Sequence, residues 1–321
     1  MRTMSRLLLI RTSSMGDLVH TLPAVTDLSR RFPALAIDWL AEESFVDIAA
    51  LHPAVDNVIP LAWRRWRRQL WSPATWRELG ALRHTLRQTH YDLVLDSQGL
   101  LKSVLFARWV PDTPLAGYDR SSIREPLASL FYDKTYSVSR SLSAVTRNRL
   151  LFGQAFGYQP DLDQCDFGVP APAPGDLPTG QAVLLTATSR DSKLWPETHW
   201  MALADRLHAE RGWPVMLPWG NPAERARAER IAAGRPFARV APRLTLKQAA
   251  ALLGNAVAVI GVDTGLTHLA NALPVPLVAI YTDTDPQLTG VIPTPRARNL
   301  GGIGQCPDVD AVWQALQECM A

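Results

Sequence analysis

Short apolar runs alternate with helix-patterned segments along almost the whole chain, and this alternation limits the fold more than any single motif. Runs at 7–10, 36–40, 57–61 and 91–95 are followed by helical patterns at 18–30, 43–50, 73–89 and 99–109. After residue 180 the pattern restarts: runs at 182–186, 214–217, 257–262 and 277–281, helical patterns at 196–211, 223–233, 244–253 and 266–273, and a last amphipathic helix over about 310–319. Runs this short, free of alternation and separated by helices, predict βαβ units on parallel sheets buried on both faces. Between the two series lies Val169-Pro170-Ala171-Pro172-Ala173-Pro174-Gly175-Asp176-Leu177-Pro178. Repeated proline excludes helix and central strand there, so the stretch reads as a semi-rigid linker. The expected organisation is a Rossmann-like domain over 1–169, a linker over 170–180, a second Rossmann-like domain over 181–305, and a C-terminal helical segment over 306–321 expected to pack back toward the first domain.

At 321 residues, 47% hydrophobic and 20% charged, the chain has the material for two ordinary globular cores. No apolar run reaches the roughly 18–20 residues of a membrane span, and Leu7–Ile10 is too short for a signal-peptide core. Three scattered cysteines without a CxxC pair point to a reducing cytoplasm and away from structural zinc. The net charge of +3 is unevenly spread: residues 60–149 carry 15 Lys/Arg against 7 Asp/Glu. Such an excess calls for an anionic partner, whether phosphate, nucleic acid or an acidic membrane surface.

In parallel α/β sheets ligands bind where strands end, so the strand-to-helix turns are the places to search. Arg11-Thr12-Ser13-Ser14-Met15-Gly16-Asp17 follows the first strand, and Asp17 falls at a helix start, where the backbone dipole favours its ionised form. Ser14 or Asp17 acting simply as a helix cap is the plain alternative. Asp96-Ser97-Gln98-Gly99-Leu100-Leu101-Lys102 occupies the same kind of turn, and Arg120 and Arg124 fall in a following loop. Trp63-Arg64-Arg65-Trp66-Arg67-Arg68 suits carboxylates and phosphates through its guanidinium forks, and a membrane interface or sugar faces through its indoles, unless it is only a solvated helical face. No helix-turn-helix, RRM or zinc-finger signature accompanies it, so nucleic acid is not expected.

In the second half, Thr186-Ala187-Thr188-Ser189-Arg190-Asp191-Ser192-Lys193 offers hydroxyls, amides and a lysine suited to a diphosphate. Its spacing is not a Walker A loop and no GxGxxG occurs, which argues against P-loop NTPases and NAD enzymes. Gly261-Val262-Asp263-Thr264-Gly265-Leu266-Thr267-His268 presents amides at Thr264 and Gly265 to an anion, a carboxylate at Asp263 to sugar hydroxyls, and His268 one turn later. Asp283-Thr284-Asp285 and Asp308-Val309-Asp310 match a DxD pattern that chance supplies at this length; neither is expected to hold a metal.

The segments at 11–17 and 63–68, with Arg-Glu-Pro-Leu-Ala-Ser-Leu-Phe-Tyr at 124–132, Lys193-Leu194-Trp195-Pro196-Glu197, Leu217-Pro218-Trp219-Gly220 and Asp263-Thr264-Gly265-Leu266-Thr267-His268, make the chain resemble the lipopolysaccharide heptosyltransferases. The similarity runs from about Arg6 through the final helix, and the 11–17 and 63–68 segments resemble the enzymes of the first heptose addition more than those of the second. The resemblance implies an α/β GT-B fold, two Rossmann-like domains with parallel sheets facing a central cleft. It implies an inverting, metal-independent transfer of L-glycero-D-manno-heptose from ADP-heptose to the Kdo of Kdo-lipid A, with no cofactor; the basic Arg/Trp patch adds the expectation of peripheral docking at the cytoplasmic face of the inner membrane. Position by position the resemblance makes Asp17 the general base. Thr188, Ser189 and Lys193 hold the donor diphosphate, Glu224 the ribose and Leu244 the adenine side, while Asp263, Thr264, Gly265 and His268 hold phosphate and heptose. Arg64, Arg65, Arg67, Arg68, Lys102 and Arg124 face the anionic acceptor.

Ser189 stands where the family has a second threonine, Leu244 where it has methionine, and Thr282-Asp283 where it has Gly-Pro, which places an extra acid beside the diphosphate loop. A second-heptose transferase, or a non-catalytic nucleotide-sugar or lipid A-binding module, are the alternative readings.

Overall fold

The computed structural model describes residues 4–321. The chain forms two compact units, one ending at Gly168 and one beginning at Val169. The first contains a six-stranded, wholly parallel sheet of β1 (Arg6–Ile10), β2 (Ala36–Glu42), β3 (Asn57–Leu61), β4 (Leu93–Asp96), β5 (Leu115–Tyr118) and β6 (Lys134–Tyr136), ordered β3-β2-β1-β4-β5-β6. The second contains β7 (Ala182–Leu185), β8 (Val215–Leu217), β9 (Ala238–Val240), β10 (Ala258–Val262), β11 (Leu277–Tyr281) and β12 (Ala297–Gly301), ordered β12-β11-β10-β7-β8-β9, again all parallel. Counted from its own first strand, each sheet has the same order, 3-2-1-4-5-6, which is the doubly wound Rossmann arrangement. In that order the chain reverses direction across the sheet beside the first strand. Here the reversals lie between β1 and β4, with Ile10 opposite Asp96, and between β7 and β10, with Leu185 opposite Gly261.

Leu7, Leu8, Leu9 and Ile10 have no exposed surface, which is why the first strand reads as an unbroken apolar run. The helix expected over 18–30 is two helices, Met15–Val19 and Leu22–Arg31. Pro23 has no N–H to continue the first helix and suits the opening of the second, while Thr21 Oγ1 donates to the Asp17 carbonyl at 2.9 Å across the break. A helix over Ala144–Phe156 is weakly announced, because its inward side mixes Val145, Leu151 and Phe152 with Asn148 and Arg149. That guanidinium donates to both oxygens of Asp27 on helix Leu22–Arg31, at 2.6 and 3.0 Å, and to the Gln164 and Asp161 carbonyls, so the buried charge is paired and makes four hydrogen bonds.

In the second unit Trp195 and Trp200 meet edge to face, 4.8 Å apart, in a core shared with Leu203, Leu217, Ile260 and Ile280. The helix Val309–Met320 buries Val312, Trp313, Leu316 and Cys319 against this same core. The proline-rich stretch is likewise a strap on the second unit: Asn255 Nδ2 donates to the Pro172 carbonyl at 2.8 Å, and Ala171 lies so close to Gly254 that a Cβ there would stand 3.0 Å from its methyl.

Candidate functional site

Strand order turns scattered residues into a row in each unit. In the first, the turns after β3, β2, β1, β4 and β5 carry, in sequence across the sheet, Arg64–Arg68, Glu42, Asp17, Lys102 and Arg124. At about 4.8 Å per strand the row is roughly 20 Å long.

Its centre is Asp17. The Asp17 Oδ1 accepts from Arg11 Nη2 at 2.9 Å, and Oδ2 accepts from the Ser14 amide at 2.7 Å and the Ser14 hydroxyl at 2.9 Å. A third of its side chain remains exposed, against a ninth of its partner Arg11. Burial pushes the carboxyl up, but the Arg11 guanidinium and the Ser14 N–H outweigh it and hold it below the usual carboxylate range. The group is therefore ionised, oriented, and open on one edge.

What fixes its loop is the turn after β4. Gln98 Oε1 accepts from the Thr12 amide at 2.9 Å, the Thr12 hydroxyl at 3.2 Å and the Ser13 amide at 3.0 Å. Gln98 is itself set by Asp96, which is fully buried and accepts from the amides of Gln98 and Gly99, the Ser103 hydroxyl at 2.7 Å and the Tyr132 hydroxyl at 2.8 Å. Burial raises the Asp96 carboxyl despite those donors. Arg11 Nη1 also donates to the Ser97 carbonyl, and Lys102 Nζ donates to Ser13 Oγ at 3.2 Å. Burial lowers the Lys102 ammonium, with Arg64 and Arg67 pushing the same way against Glu42. Sequence reading singled out Asp17 and Lys102 but gave Arg11, Asp96 and Gln98 no role. The only local signal was their place at strand ends, since Gln98 and Thr12 are 86 residues apart.

The arginine segment is a short helix, Trp63–Trp66, and it divides in use. Arg64, Arg65, Arg67 and Arg68 line a groove of about 380 Å³ with Glu42, Glu43, Ser44 and Gln69. Arg65 is bidentate to both Glu43 and Glu78, at 2.8–3.1 Å, so its charge is shared with the groove wall. Arg64 lies over the Phe45 ring at 4.9 Å. Among the described residues Arg64, Arg67 and Arg68 form no ion pair with a carboxylate. Arg124 is exposed, one residue before Glu125, which accepts from the Leu101 amide.

In the second unit the turns after β10, β7, β8 and β9 carry Asp263–His268, Thr188–Lys193, Glu224 and Leu244, again a row across adjacent strands. Asp263 Oδ2 accepts from Lys193 Nζ at 2.6 Å and Thr284 Oγ1 at 2.8 Å, and His268 Nε2 lies 3.6 Å from Oδ1. Burial pushes this carboxyl up, and the donors His268, Lys193 and Thr284 overturn that and hold it far below the usual range. Thr188 Oγ1 donates to the Asp263 carbonyl at 2.7 Å, so the two turns at the reversal are joined. Thr264 stands at the N-cap position of the helix Gly265–Asn271 without a side-chain capping bond, and Thr267 Oγ1 folds back onto the Val262 carbonyl at 2.6 Å. Gly261 makes that possible, because a Cβ there would stand 2.3 Å from the Thr267 hydroxyl. Ser189 is exposed on its loop. Glu224 accepts from the Gly220 amide and Asn221 Nδ2, both at 2.7 Å, inside its own turn, and Leu244 is half-buried ahead of the helix Leu246–Gly254.

The unusual loop after β11 fits this unit. Asp283 Oδ2 accepts from Ser192 Oγ at 2.6 Å, Thr282 Oγ1 donates to the Ser192 carbonyl at 2.9 Å, and Thr284 reaches Asp263, so the loop is clipped to the 186–193 turn. Asp285 and Asp308 cap helices, and Asp310 pairs with Arg206. Among the described residues no cluster of three or more His, Cys, Asp or Glu could hold a metal ion.

Paired Rossmann units, one presenting an open ionised carboxylate and the other a lysine and hydroxyls at the strand reversal, are the parts of a GT-B glycosyltransferase. The chain belongs to glycosyltransferase family 9, the heptosyltransferases, whose family model matches residues 79–312. It is 48% identical over 287 residues to lipopolysaccharide heptosyltransferase 1 of Pseudomonas aeruginosa, covering 89% of this chain and 81% of that one. Its structure is similar to that of the E. coli heptosyltransferase WaaC with ADP, at a TM-score of 0.91 and 39% identity over 98% of this chain and 99% of that one. WaaC with ADP-2-deoxy-2-fluoro heptose matches at a TM-score of 0.86 and 38% identity over the same shares.

Proposed function

We propose that this enzyme transfers heptose from ADP-heptose to the Kdo of Kdo-lipid A in building the lipopolysaccharide inner core, with inversion at the anomeric carbon and without a metal ion. Family membership and the donor-analogue complex of WaaC support the donor. The observation that carries the chemistry is Asp17, ionised, held by Arg11 and Ser14, and open on one edge.

In this reading an acceptor hydroxyl oxygen attacks the anomeric carbon, the bond from that carbon to the diphosphate breaks, and ADP leaves with the electron pair. Asp17 takes the hydroxyl proton. A carboxylate paired with arginine is a weak base, so its main contribution is position, with proton transfer completed as the new bond forms. Lys193, Thr188 and the amides after β10 are suited to the charge that develops on ADP. Arg64, Arg67, Arg68, Lys102 and Arg124 suit the carboxylate and phosphates of the acceptor. The same cations suit an anionic lipid surface. Peripheral attachment at the cytoplasmic face of the inner membrane follows as part of the reading, and no helix among the described residues is long and apolar enough to cross a membrane.

The test is ADP release from ADP-heptose with Kdo-lipid A, in excess EDTA, with Asp17→Asn alongside. Turnover that survives EDTA and collapses in the variant is the expected result. Turnover only when the acceptor already carries a heptose would reassign the enzyme to the second addition. ADP-heptose binding without turnover on either acceptor would leave a binding module.

A further inference from the structure

Five large apolar side chains stand in solvent on two adjoining segments of the first unit. Leu101 and Leu105 lie one turn apart on the helix Leu101–Ala107, and Leu127, Leu130 and Phe131 share the 3₁₀ segment Pro126–Phe131; their exposures run from 43% to 69%. The two segments pack together. Arg108 joins them by donating to the Phe131 carbonyl and pairing with Asp133, and the Leu101 amide donates to Glu125. An apolar ridge of this kind on an otherwise polar surface marks an interaction site.

Its neighbours indicate what it meets. Trp63 packs edge-on against Phe106, 5.8 Å away, so the arginine segment runs beside this helix. The guanidinium groups of Arg64, Arg67 and Arg68 form no ion pair with a carboxylate among the described residues, and Leu70, Trp71 and Trp76 follow them, exposed. A second copy docking through the same face would set like-charged arginines against each other. Phosphate headgroups above acyl chains complement both parts at once.

We propose that this ridge is a membrane anchor: Leu101, Leu105, Leu127, Leu130 and Phe131 enter the headgroup layer of an anionic bilayer while Arg64, Arg67 and Arg68 lie at the level of its phosphates. The inference rests on the reading above that the acceptor is a membrane lipid, and it assigns the insertion to residues outside the groove. Exposed leucines and phenylalanine beside basic residues are the composition of peripheral membrane elements.

Vesicles of phosphatidylethanolamine and phosphatidylglycerol, containing no acceptor, provide the test, so that docking is read apart from turnover. The wild type should sediment with them at low salt and be released as salt rises. Leu127→Asp with Leu130→Asp should lower partitioning by on the order of 100-fold, the loss expected for two buried leucines. Because both side chains already face solvent, the fold should tolerate the change, and turnover of an acyl-free acceptor should stay at the wild-type value. The proposal fails if the wild type stays in the supernatant, or if the double variant sediments equally well. It also fails if the wild type is a dimer without lipid and the variant a monomer, which would give the ridge to a second copy.

Discussion

The two units repeat one topology and put a carboxylate at the strand reversal in each, yet the two carboxylates are used in opposite ways. Asp17 has a third of its side chain exposed and partners from its own turn, Arg11 and Ser14. Asp263 is 10% exposed, and its partners Lys193 and Thr284 come from two other turns. Both are held below the usual carboxylate range by donors that overcome burial. The difference lies in what remains free: Asp17 keeps an open edge, which the proposed function gives to a reacting hydroxyl, whereas Asp263 spends its oxygens joining the loops around it. Topology decides where a charge stands; the donors around it decide whether it reacts or supports.

Four substitutions sharpen or break this contrast. Asp17→Asn should lower kcat by roughly 100- to 10,000-fold with donor binding retained, since the variant keeps the shape and loses the base; donor titration beside steady-state kinetics measures both. Lys193→Met should raise the donor KM by roughly 10- to 100-fold through loss of charge-assisted bonds. It should also bring Asp263 back toward its ordinary value of 3.8. Because a depressed carboxyl stabilises the fold above its unfolded pKa, the wild type's stability margin over this variant should be full above about pH 4 and shrink as pH falls further, readable in urea melts across pH.

Gln98→Ala should cost about tenfold in kcat with little change in donor KM, because it frees the Thr12 and Ser13 amides and lets the base wander. The smallest effect is expected for Arg11→Met. Removing the cation disfavours ionised Asp17, so the acidic limb of the kcat/KM profile should move up by about one pH unit. An unmoved limb would mean that Ser14 and His20 set the carboxyl without Arg11.

Much of this was legible in the chain. Leu7–Ile10 and Leu277–Tyr281 announce themselves because strands buried on both faces are unbroken apolar runs, and Asp17, Lys102, Lys193 and Asp263 are singled out as candidates because each follows such a run. β6 and β12 were missed because Lys134, Thr135, Arg298 and Asn299 belong to edge strands with one side uncovered. Pairings across long separations left no local trace: Gln98 to Thr12, Arg149 to Asp27 and Thr284 to Asp263 are polar contacts between turns that only the sheet order brings together. Arg65 looked like its three neighbours until the positions of Glu43 and Glu78 showed where its charge goes.

The proline-rich strap bears on how the halves can be separated at the bench. Asn255 holds the Pro172 carbonyl, and Ala171 lies against Gly254. A second unit begun after the last of these prolines would start life with that seam open to water and the Asn255 amide left with the Ala251 carbonyl alone. One begun at Val169 would carry its own seal, and of the two truncations it should be the one that expresses in monodisperse form.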